Sequence, residues 1–295
     1  MLTRIFLTSD ELHTGHRRLR AGWRILGQLA IMTTIALAVI AIFNIFLPPD
    51  SISSPIGFLA AQIGAFIAIN LSVFLARRFL DKRSFVSLGL QHGTRAPWDL
   101  LVGFLISGVM MLTIFLIEAI AGWLTLRGWA WGRISFSETI LFSLVMLVLF
   151  IVVGWQEELL SRGYMLQNMA EGLNLPWAIL LSSLFFALGH LLNPNLSWMA
   201  GAGLFLAGIF LAFAYMRTRL LWLPIGLHIG WNFFEGTVFG FPVSGLGFFG
   251  IIEHSAKGPV LFTGGAFGPE AGLVLLPALA LGTILVYYYT GSKST

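Results

Sequence analysis

The sequence contains no cysteine and very little charge. With 0 Cys in 295 residues, it has neither a disulfide framework nor a thiolate chemistry. Only 10% of the side chains are charged, 17 basic and 13 acidic, against roughly 25% in an ordinary soluble domain. The hydrophobic content of 57% is more apolar surface than a soluble fold of this length can bury. These features exclude a water-soluble enzyme and a disordered chain, and they favour an integral membrane protein.

Eight apolar runs are long enough to cross a bilayer as helices, which need roughly 17–25 residues each. The runs lie at about 25–47, 56–76, 100–124, 138–160, 176–192, 197–216, 220–239 and 271–290. Continuous apolar runs are typical of helices and not of the alternating strands of a β-barrel. The sequence therefore predicts an all-α, polytopic bundle of about eight transmembrane helices.

The basic residues are distributed unequally between the two ends of these runs. Fourteen of the 17 fall on one side, namely Arg4, Arg17, Arg18, Arg20, Arg24, Arg77, Arg78, Lys82, Arg83, Arg95, Arg162, Arg217, Arg219 and Lys293. The positive-inside rule places that side, with both termini, in the cytoplasm. The net charge of +4 then reflects orientation and anionic headgroups, and it indicates no nucleic-acid partner.

The runs divide the chain into three predicted parts. Residues 1–136 hold the first three spans and a basic leader, in which residues 2–20 form either a loose segment or a short amphipathic surface helix. Residues 137–240 hold spans four to seven and form the predicted catalytic core. Residues 241–295 hold a Gly- and Pro-rich outside loop, too polar to span, and the last span.

Ionisable side chains within the apolar runs are costly, so they are candidates for function. The fourth run ends in Glu157-Glu158-x-x-x-Arg162. Glu158 and Arg162 are four residues apart and can pair on one helix face, whereas Glu157 is rotated by about 100°. The spacing predicts one neutralised carboxylate and one that is available for chemistry. The alternative is an interfacial helix end with charges that reach the membrane surface.

Two further runs carry histidines. In the fifth run, Phe186 lies one turn before His190, and in the seventh, His228, Asn232 and Glu235 have the spacing i, i+4, i+7 along one helical stripe. The alternatives are an interfacial histidine and hydrogen bonds that hold helices together. Helical rise places Glu157 and His190 each about 24 Å from the turn between their runs, with His228 about 15 Å beyond the next cytoplasmic turn. The three motifs are therefore expected at a similar depth, in the cytoplasmic half of the membrane.

A carboxylate, two imidazoles and an amide at one depth suit the hydrolysis of an acyl bond. Glu157 could act as general base on water with help from His190, while His228 and Asn232 donate hydrogen bonds to the oxyanion, each worth about 3–4 kcal/mol. In a second interpretation, Glu157, His190 and His228 bind a catalytic zinc ion. The absence of an H-E-x-x-H helix and the presence of an amide favour the metal-free interpretation.

Together, Glu157-Glu158-x-x-x-Arg162, Phe186-x-x-x-His190 and His228-x-x-x-Asn232 resemble the ordered motifs of the CAAX-processing and bacteriocin-processing (CPBP, or Abi) intramembrane proteases. The resemblance implies an eight-helix endopeptidase that removes the last three residues of prenylated CAAX proteins. It implies that Glu157 and His190 activate water and that His228 and Asn232 hold the oxyanion, with Glu158, Arg162 and Phe186 in support. The family is commonly described as metalloproteases, although a metal-free glutamate mechanism has also been proposed. Glu235 lies outside the family pattern, and we expect it to support the site as a further polar group on the stripe of His228 and Asn232.

We therefore expect an intramembrane endopeptidase that acts near the cytoplasmic face, in a prokaryotic plasma membrane, on a membrane-associated peptide or protein with or without a lipid group. One alternative is a non-proteolytic bacteriocin-immunity or scaffold protein in the membrane. Another is a proton-coupled transporter that uses Glu157, Glu235 and a histidine as a relay, although the chain lacks the repeat symmetry common in transporters.

Overall fold

The computed structural model describes residues 19–46 and 55–291, and the protein is mostly helical (75%). The helices are α1 (Ala21–Phe46), α2 (Pro55–Leu75), α3 (Ala96–Ile120), α4 (Phe136–Glu158), α5 (Gln167–Gly172), α6 (Leu175–Leu188), α7 (Trp198–Thr218), α8 (Trp222–Asn232), α9 (Val260–Thr263) and α10 (Leu275–Gly291). Three π-helical segments, Ala76–Leu80, Leu159–Leu166 and Phe233–Val238, extend α2, α4 and α8. Strands β1 (Leu124–Trp129) and β2 (Ile252–Ala256) form an antiparallel pair. Most of the leader predicted at 2–20 lies outside the described residues.

All eight apolar runs predicted from the sequence contain a helix. Across the described ranges, five helices are long and apolar enough to cross a membrane: Ala21–Phe46, Gly57–Leu80, Ala96–Ile120, Phe136–Gly172 and Trp198–Thr218. The runs predicted at 176–192, 220–239 and 271–290 hold the shorter helices α6, α8 and α10. The composition and these five helices are those of an integral membrane protein.

Local sequence accounts for where several helices begin. Ser197 precedes α7, and its hydroxyl accepts a hydrogen bond from the backbone N–H of Ala200 at 3.1 Å, which caps the first turn. Ser135 and Glu138 form a reciprocal capping box at the start of α4. Pro224 lies in the first turn of α8, where its missing N–H costs no helical hydrogen bond. The capping box helps to fix the axial position of α4, which carries Glu157.

The chain forms two compact units. Unit 1 comprises the described residues within 1–91 and 156–181, and it contains a buried ionic network. Asp81 is fully buried and accepts hydrogen bonds from Arg24 at 3.0 Å and Arg77 at 2.8 Å. Glu171 accepts one from Arg24 at 2.8 Å and pairs with Arg83. These contacts join α1, the end of α2 and α5. Some basic residues that predict orientation are therefore also part of the core.

Unit 2 comprises residues 92–155 and the described residues from 182 onwards, and α8 packs closely against α3 within it. Gly226 and Gly230 are four residues apart on α8 and lie against the backbone of Leu100 and Phe104 on α3. A Cβ atom at Gly230 would lie 2.5 Å from the Phe104 carbonyl oxygen, so only glycine allows this approach. Ser107 of α3 also donates to a backbone carbonyl of α8 at 2.6 Å. These contacts fix the position and rotation of the helix that carries His228 and Asn232.

The segment between α8 and α10 is packed into unit 2. We call residues 239–274 the connecting segment; it includes β2 and the short helix α9. The sequence predicts an outside loop for most of it, but the structure buries Phe267 and Glu270. Gly203 of α7 lies directly against the carbonyl oxygen of Glu270, which leaves no space for a Cβ atom. The connecting segment therefore contributes side chains to the core of unit 2.

Candidate active site

The carboxylate motif lies in unit 1, where α4 passes into a π-helical segment. Glu158 is the last residue of α4, and its Oε1 accepts a hydrogen bond from Nη1 of Arg162 at 2.7 Å. Both side chains are buried, with exposed fractions of 0% and 1%. Glu157 is half-buried and also interacts electrostatically with Arg162. The ion pair predicted from the i, i+4 spacing is thus confirmed, and its guanidinium group acts on both carboxylates.

The sequence does not predict the π-helical segment Leu159–Leu166. Its turns are wider than those of an α-helix, and all eight of its residues are buried. Single π turns within α-helices are rare overall, and those that occur often lie at functional sites. Here the segment begins directly after Glu158, and Arg162 lies in its first turn.

His190 lies just beyond the end of a helix and not within it. The sequence predicts a run to residue 192, but α6 ends at Leu188 and His190 lies in the turn after it. Its Nδ1 lies 3.0 Å from the carbonyl oxygen of Phe186, which can only accept, so Nδ1 carries a proton. Neutral His190 therefore presents an unprotonated Nε2. The Phe186 ring centroid is 5.0 Å from that of His190.

The second imidazole and the amide lie on α8. His228 and Asn232 are one turn apart and are buried, with exposed fractions of 7% and 6%. The ring of Phe186 also meets His228 edge-on, with 5.8 Å between centroids. Unit 2 therefore brings His190 and His228 to the same phenylalanine, while Glu157, Glu158 and Arg162 belong to unit 1.

Glu235 lies on the π-helical segment after α8 and is fully buried. Its charge interacts with Glu270 of the connecting segment, a residue that the sequence analysis does not select. Glu270 Oε1 accepts from the indole N–H of Trp231 at 3.1 Å, and Oε2 accepts from the backbone N–H and hydroxyl of Ser244 at 2.8 and 2.7 Å. Glu270 also interacts electrostatically with His190.

Sequence reasoning missed Glu270 and Ser244 because neither belongs to a helical stripe. Both lie in a Gly-rich segment, 35 and 9 residues after Glu235, and no spacing relates them to His190. The signal that could have found Glu270 is the scarcity of charge, because it is the only acidic residue between Glu253 and the C-terminus.

A metal site requires several donors at one point. Within the described ranges, no group of three or more His, Cys, Asp or Glu residues is arranged to hold a metal ion. Unit 2 alone offers two imidazoles about Phe186 and a nearby amide, and an amide is a poor ligand for zinc. Unit 2 by itself therefore supplies two of the three ligands of the zinc interpretation, and the third, Glu157, belongs to unit 1.

Taken together, these features define a helical membrane protein in which imidazole, amide and carboxyl groups are buried among apolar helices. Residues 139–234, about a third of the chain, match the family model described as type II CAAX prenyl endopeptidase Rce1-like. The matched range contains every residue of the three motifs and ends just before Glu235. No curated protein matches the chain significantly. The match confirms the resemblance to the CAAX-processing proteases, a family of hydrolases.

Proposed function

We propose that this protein is an intramembrane endopeptidase of the CAAX-processing type. The observation that carries the proposal is the arrangement in unit 2, where His190 and His228 meet at Phe186 and Asn232 lies one turn beyond His228. Burial of imidazole and amide groups among apolar helices costs free energy, and a role in catalysis accounts for their presence. The family match covers all of these residues.

In the proposed reaction, Glu157 is the general base. It accepts a proton from a water molecule, which attacks the carbonyl carbon of the scissile peptide, and the Nε2 atom of His190 orients this water. The ion pair with Arg162 holds Glu158 in place, so the two adjacent carboxylates have different roles. The proton on Glu157 then passes to the leaving amine when the C–N bond breaks.

The negative oxygen that forms in this step requires hydrogen-bond donors. We assign this role to His228 and Asn232, because both are buried and both can donate from the same face of α8. Donors held in a site with little water are worth about 2.7–4 kcal/mol each in known enzymes. The close packing of α8 on α3 supports this role, since preorganised donors need a helix that does not move.

The proposed mechanism contains no step through a metal ion; binding of zinc by Glu157, His190 and His228 is the alternative that the metal measurement below tests. The proposed substrate is a membrane-associated protein with a lipid group, cut close to the cytoplasmic face. The proposed topology has about eight membrane helices with both termini in the cytoplasm, in a prokaryotic plasma membrane. The distribution of basic residues supports this orientation.

The proposal is tested with purified protein, a fluorogenic farnesylated CAAX peptide and the same peptide without the lipid. We expect cleavage by the wild type and a loss of about 10²–10⁴-fold in kcat for Glu157→Gln, because the amide cannot accept the proton. Glu138→Gln is the matched control, since Glu138 is an exposed glutamate on the same helix and glutamine can still accept the capping hydrogen bond from Ser135. Metal content is measured on the same samples.

Two outcomes would contradict the mechanism. Normal cleavage by Glu157→Gln would exclude Glu157 as the base. Stoichiometric zinc that is required for activity and lost on substitution of His190 or His228 would replace the metal-free mechanism with a metal-dependent one. If the wild type cleaves neither peptide, the assignment to prenyl-protein processing is wrong.

A further inference from the structure

Glu270 reaches the interior of unit 2 from the connecting segment. Its side chain is buried, with 6% exposure, and its carboxylate accepts three hydrogen bonds. One comes from Trp231 on α8, and two come from Ser244 within the connecting segment. A carboxylate that is buried among apolar helices requires such donors, because it loses its hydration. The number of donors indicates a side chain with a fixed position.

Each residue that donates to Glu270 is linked to the candidate site, either by its position in the chain or by further hydrogen bonds. Trp231 lies directly before Asn232 and three residues after His228, so its N–H ties this part of α8 to Glu270. The carbonyl oxygen of Ser244 accepts from the side chain of Asn193 at 2.9 Å. The backbone N–H of Asn193 donates to the carbonyl of His190 at 3.0 Å. Glu270 thus connects the turn that holds His190 with the helix that holds His228 and Asn232.

The charge of this region belongs to Glu270 more than to Glu235. In the part of the chain that the structure describes, neither carboxyl oxygen of Glu235 has a hydrogen-bond partner of normal geometry, and the nearby indole N–H of Trp231 donates to Glu270. Two neighbouring carboxylates in one buried site disfavour double ionisation. With three donors, the carboxylate of Glu270 is the better stabilised of the two.

Glu270 also interacts electrostatically with His190. Burial raises the pKa of Glu270, while the hydrogen bonds from Ser244 and the interaction with His190 oppose that rise. No Lys or Arg pairs with Glu270 among the described residues, so its partners there are neutral donors and His190. This electrostatic interaction favours one orientation of the imidazole ring.

We infer that Glu270 is a positioning residue for the reaction: through Trp231 and Ser244 it holds α8 and the His190 turn in register, and it places one negative charge towards His190. The inference rests on the proposed function in so far as His190, His228 and Asn232 are catalytic. Glu270 itself touches no reacting atom in this scheme. It lies outside the range that matches the family model, which ends at residue 234.

The first test is kinetic. Glu270→Gln keeps the size of the side chain but removes the charge. It also places an amide NH₂ group, itself a donor, against either the Trp231 indole N–H or the donors of Ser244. We expect kcat to fall by about 10- to 100-fold while KM stays within about twofold, because substrate binding is not affected. Glu253→Gln is the matched control, since it makes the same change at a more exposed glutamate of the connecting segment. We expect the control to keep the wild-type kcat.

A double-mutant cycle separates positioning from general stability. If Glu270 acts on α8 through Trp231, the effects of Glu270→Gln and Trp231→Phe on kcat are strongly non-additive, and the double variant is about as slow as Glu270→Gln alone. A merely structural role would lower the folded fraction but leave kcat per folded molecule unchanged. A kcat of Glu270→Gln within about twofold of the wild type, per folded molecule, would overturn the inference.

The second test does not depend on activity. Backbone hydrogen exchange is measured in residues 187–195 and 226–235 of the wild type, Glu270→Gln and Ser244→Ala. We expect both variants to exchange faster in the first segment, and Glu270→Gln also in the second, by on the order of tenfold. Unchanged exchange would overturn the inference even if the enzyme is active. If exchange changes as expected but the wild type cleaves nothing, the proposed function fails while the structural connection stands.

Discussion

The two units differ in how they hold most of their buried carboxylates. In unit 1 they are paired with guanidinium groups: Asp81 lies between Arg24 and Arg77, and Glu158 is held by Arg162. In unit 2, Asp99 lies 3.9 Å from Arg95, but Glu118, Glu235 and Glu270 are buried without an ion pair to Lys or Arg among the described residues.

The difference has a physical consequence. A buried ion pair is costly to form and more costly to break, because removal of one partner leaves an uncompensated charge. Such pairs therefore fix a structure. A buried carboxyl without a cation can exist as the neutral acid, and it can gain or lose a proton at a small cost in packing. Unit 1 is accordingly expected to act as a framework around Glu157, whereas unit 2 contains groups whose charge can change.

The largest effect is expected for Asp81→Asn in unit 1. The substitution leaves the buried Arg24 and Arg77 without their shared carboxylate, and the free energy of unfolding should fall by about 3–5 kcal/mol. Unfolding in a denaturing detergent titration measures this change. A loss below about 1 kcal/mol would show that the network is not a structural framework.

The same change from carboxyl to amide in unit 2 should have a much smaller effect. If Glu235 is neutral, Glu235→Gln replaces an acid with an amide of similar size, and the free energy of unfolding should change by no more than about 1 kcal/mol at neutral pH. The measurement is the same detergent titration. A loss as large as that of Asp81→Asn would mean that Glu235 carries a paired charge, and the contrast between the units would then disappear.

The smallest effect concerns pH. Burial lowers the pKa of His254 on β2, although a hydrogen bond from Nε2 to the carbonyl of Phe239 at 2.8 Å opposes this change. The folded state therefore binds this proton less readily than the unfolded state. The contribution of His254 to stability is complete above the unfolded pKa of about 6.5 and is lost as the pH falls through the lower folded pKa.

We expect the melting temperature of the wild type to fall more between about pH 8 and pH 5 than that of His254→Gln, which keeps a donor for Phe239 but does not titrate. Differential scanning fluorimetry in detergent measures both profiles. Identical pH profiles for the two proteins would show that His254 is not a source of the dependence. This measurement tests whether the connecting segment, like the core of unit 2, contains a group whose charge can change.

Much of this architecture could be predicted from the sequence, because apolar runs and helical spacings are local. The eight runs correspond to helices, and Glu158 and Arg162 pair as their spacing requires. The sequence is wrong in detail where a contact with a distant part of the chain determines where a helix ends. The sequence predicts that the fifth run continues to residue 192, but the helix ends at Leu188, and the next turn is held through Asn193 by the connecting segment.

The contribution of Glu270 could not be predicted, because it depends on the return of a Gly-rich segment to the helix that carries Trp231. The burial of Arg24 and Arg77 could not be predicted either. Basic residues at the ends of apolar runs indicate orientation by number alone, and their pairing with Asp81 depends on tertiary packing. The catalytic roles of Glu157, His190, His228 and Asn232 stay predictions.

The π-helical segments also bear on how the chain tolerates changes in length. A π turn is an α-helix with one residue more than its axial rise requires, and deletion of one residue there can restore a regular α-helix without rotating the residues beyond it. The same deletion inside α8 would rotate every later residue of the helix by about 100°. The three segments in the described ranges include Arg77, Arg162 and Glu235. At each of these three ionisable residues, one residue of the chain can therefore be removed without changing the register of the helix beyond it.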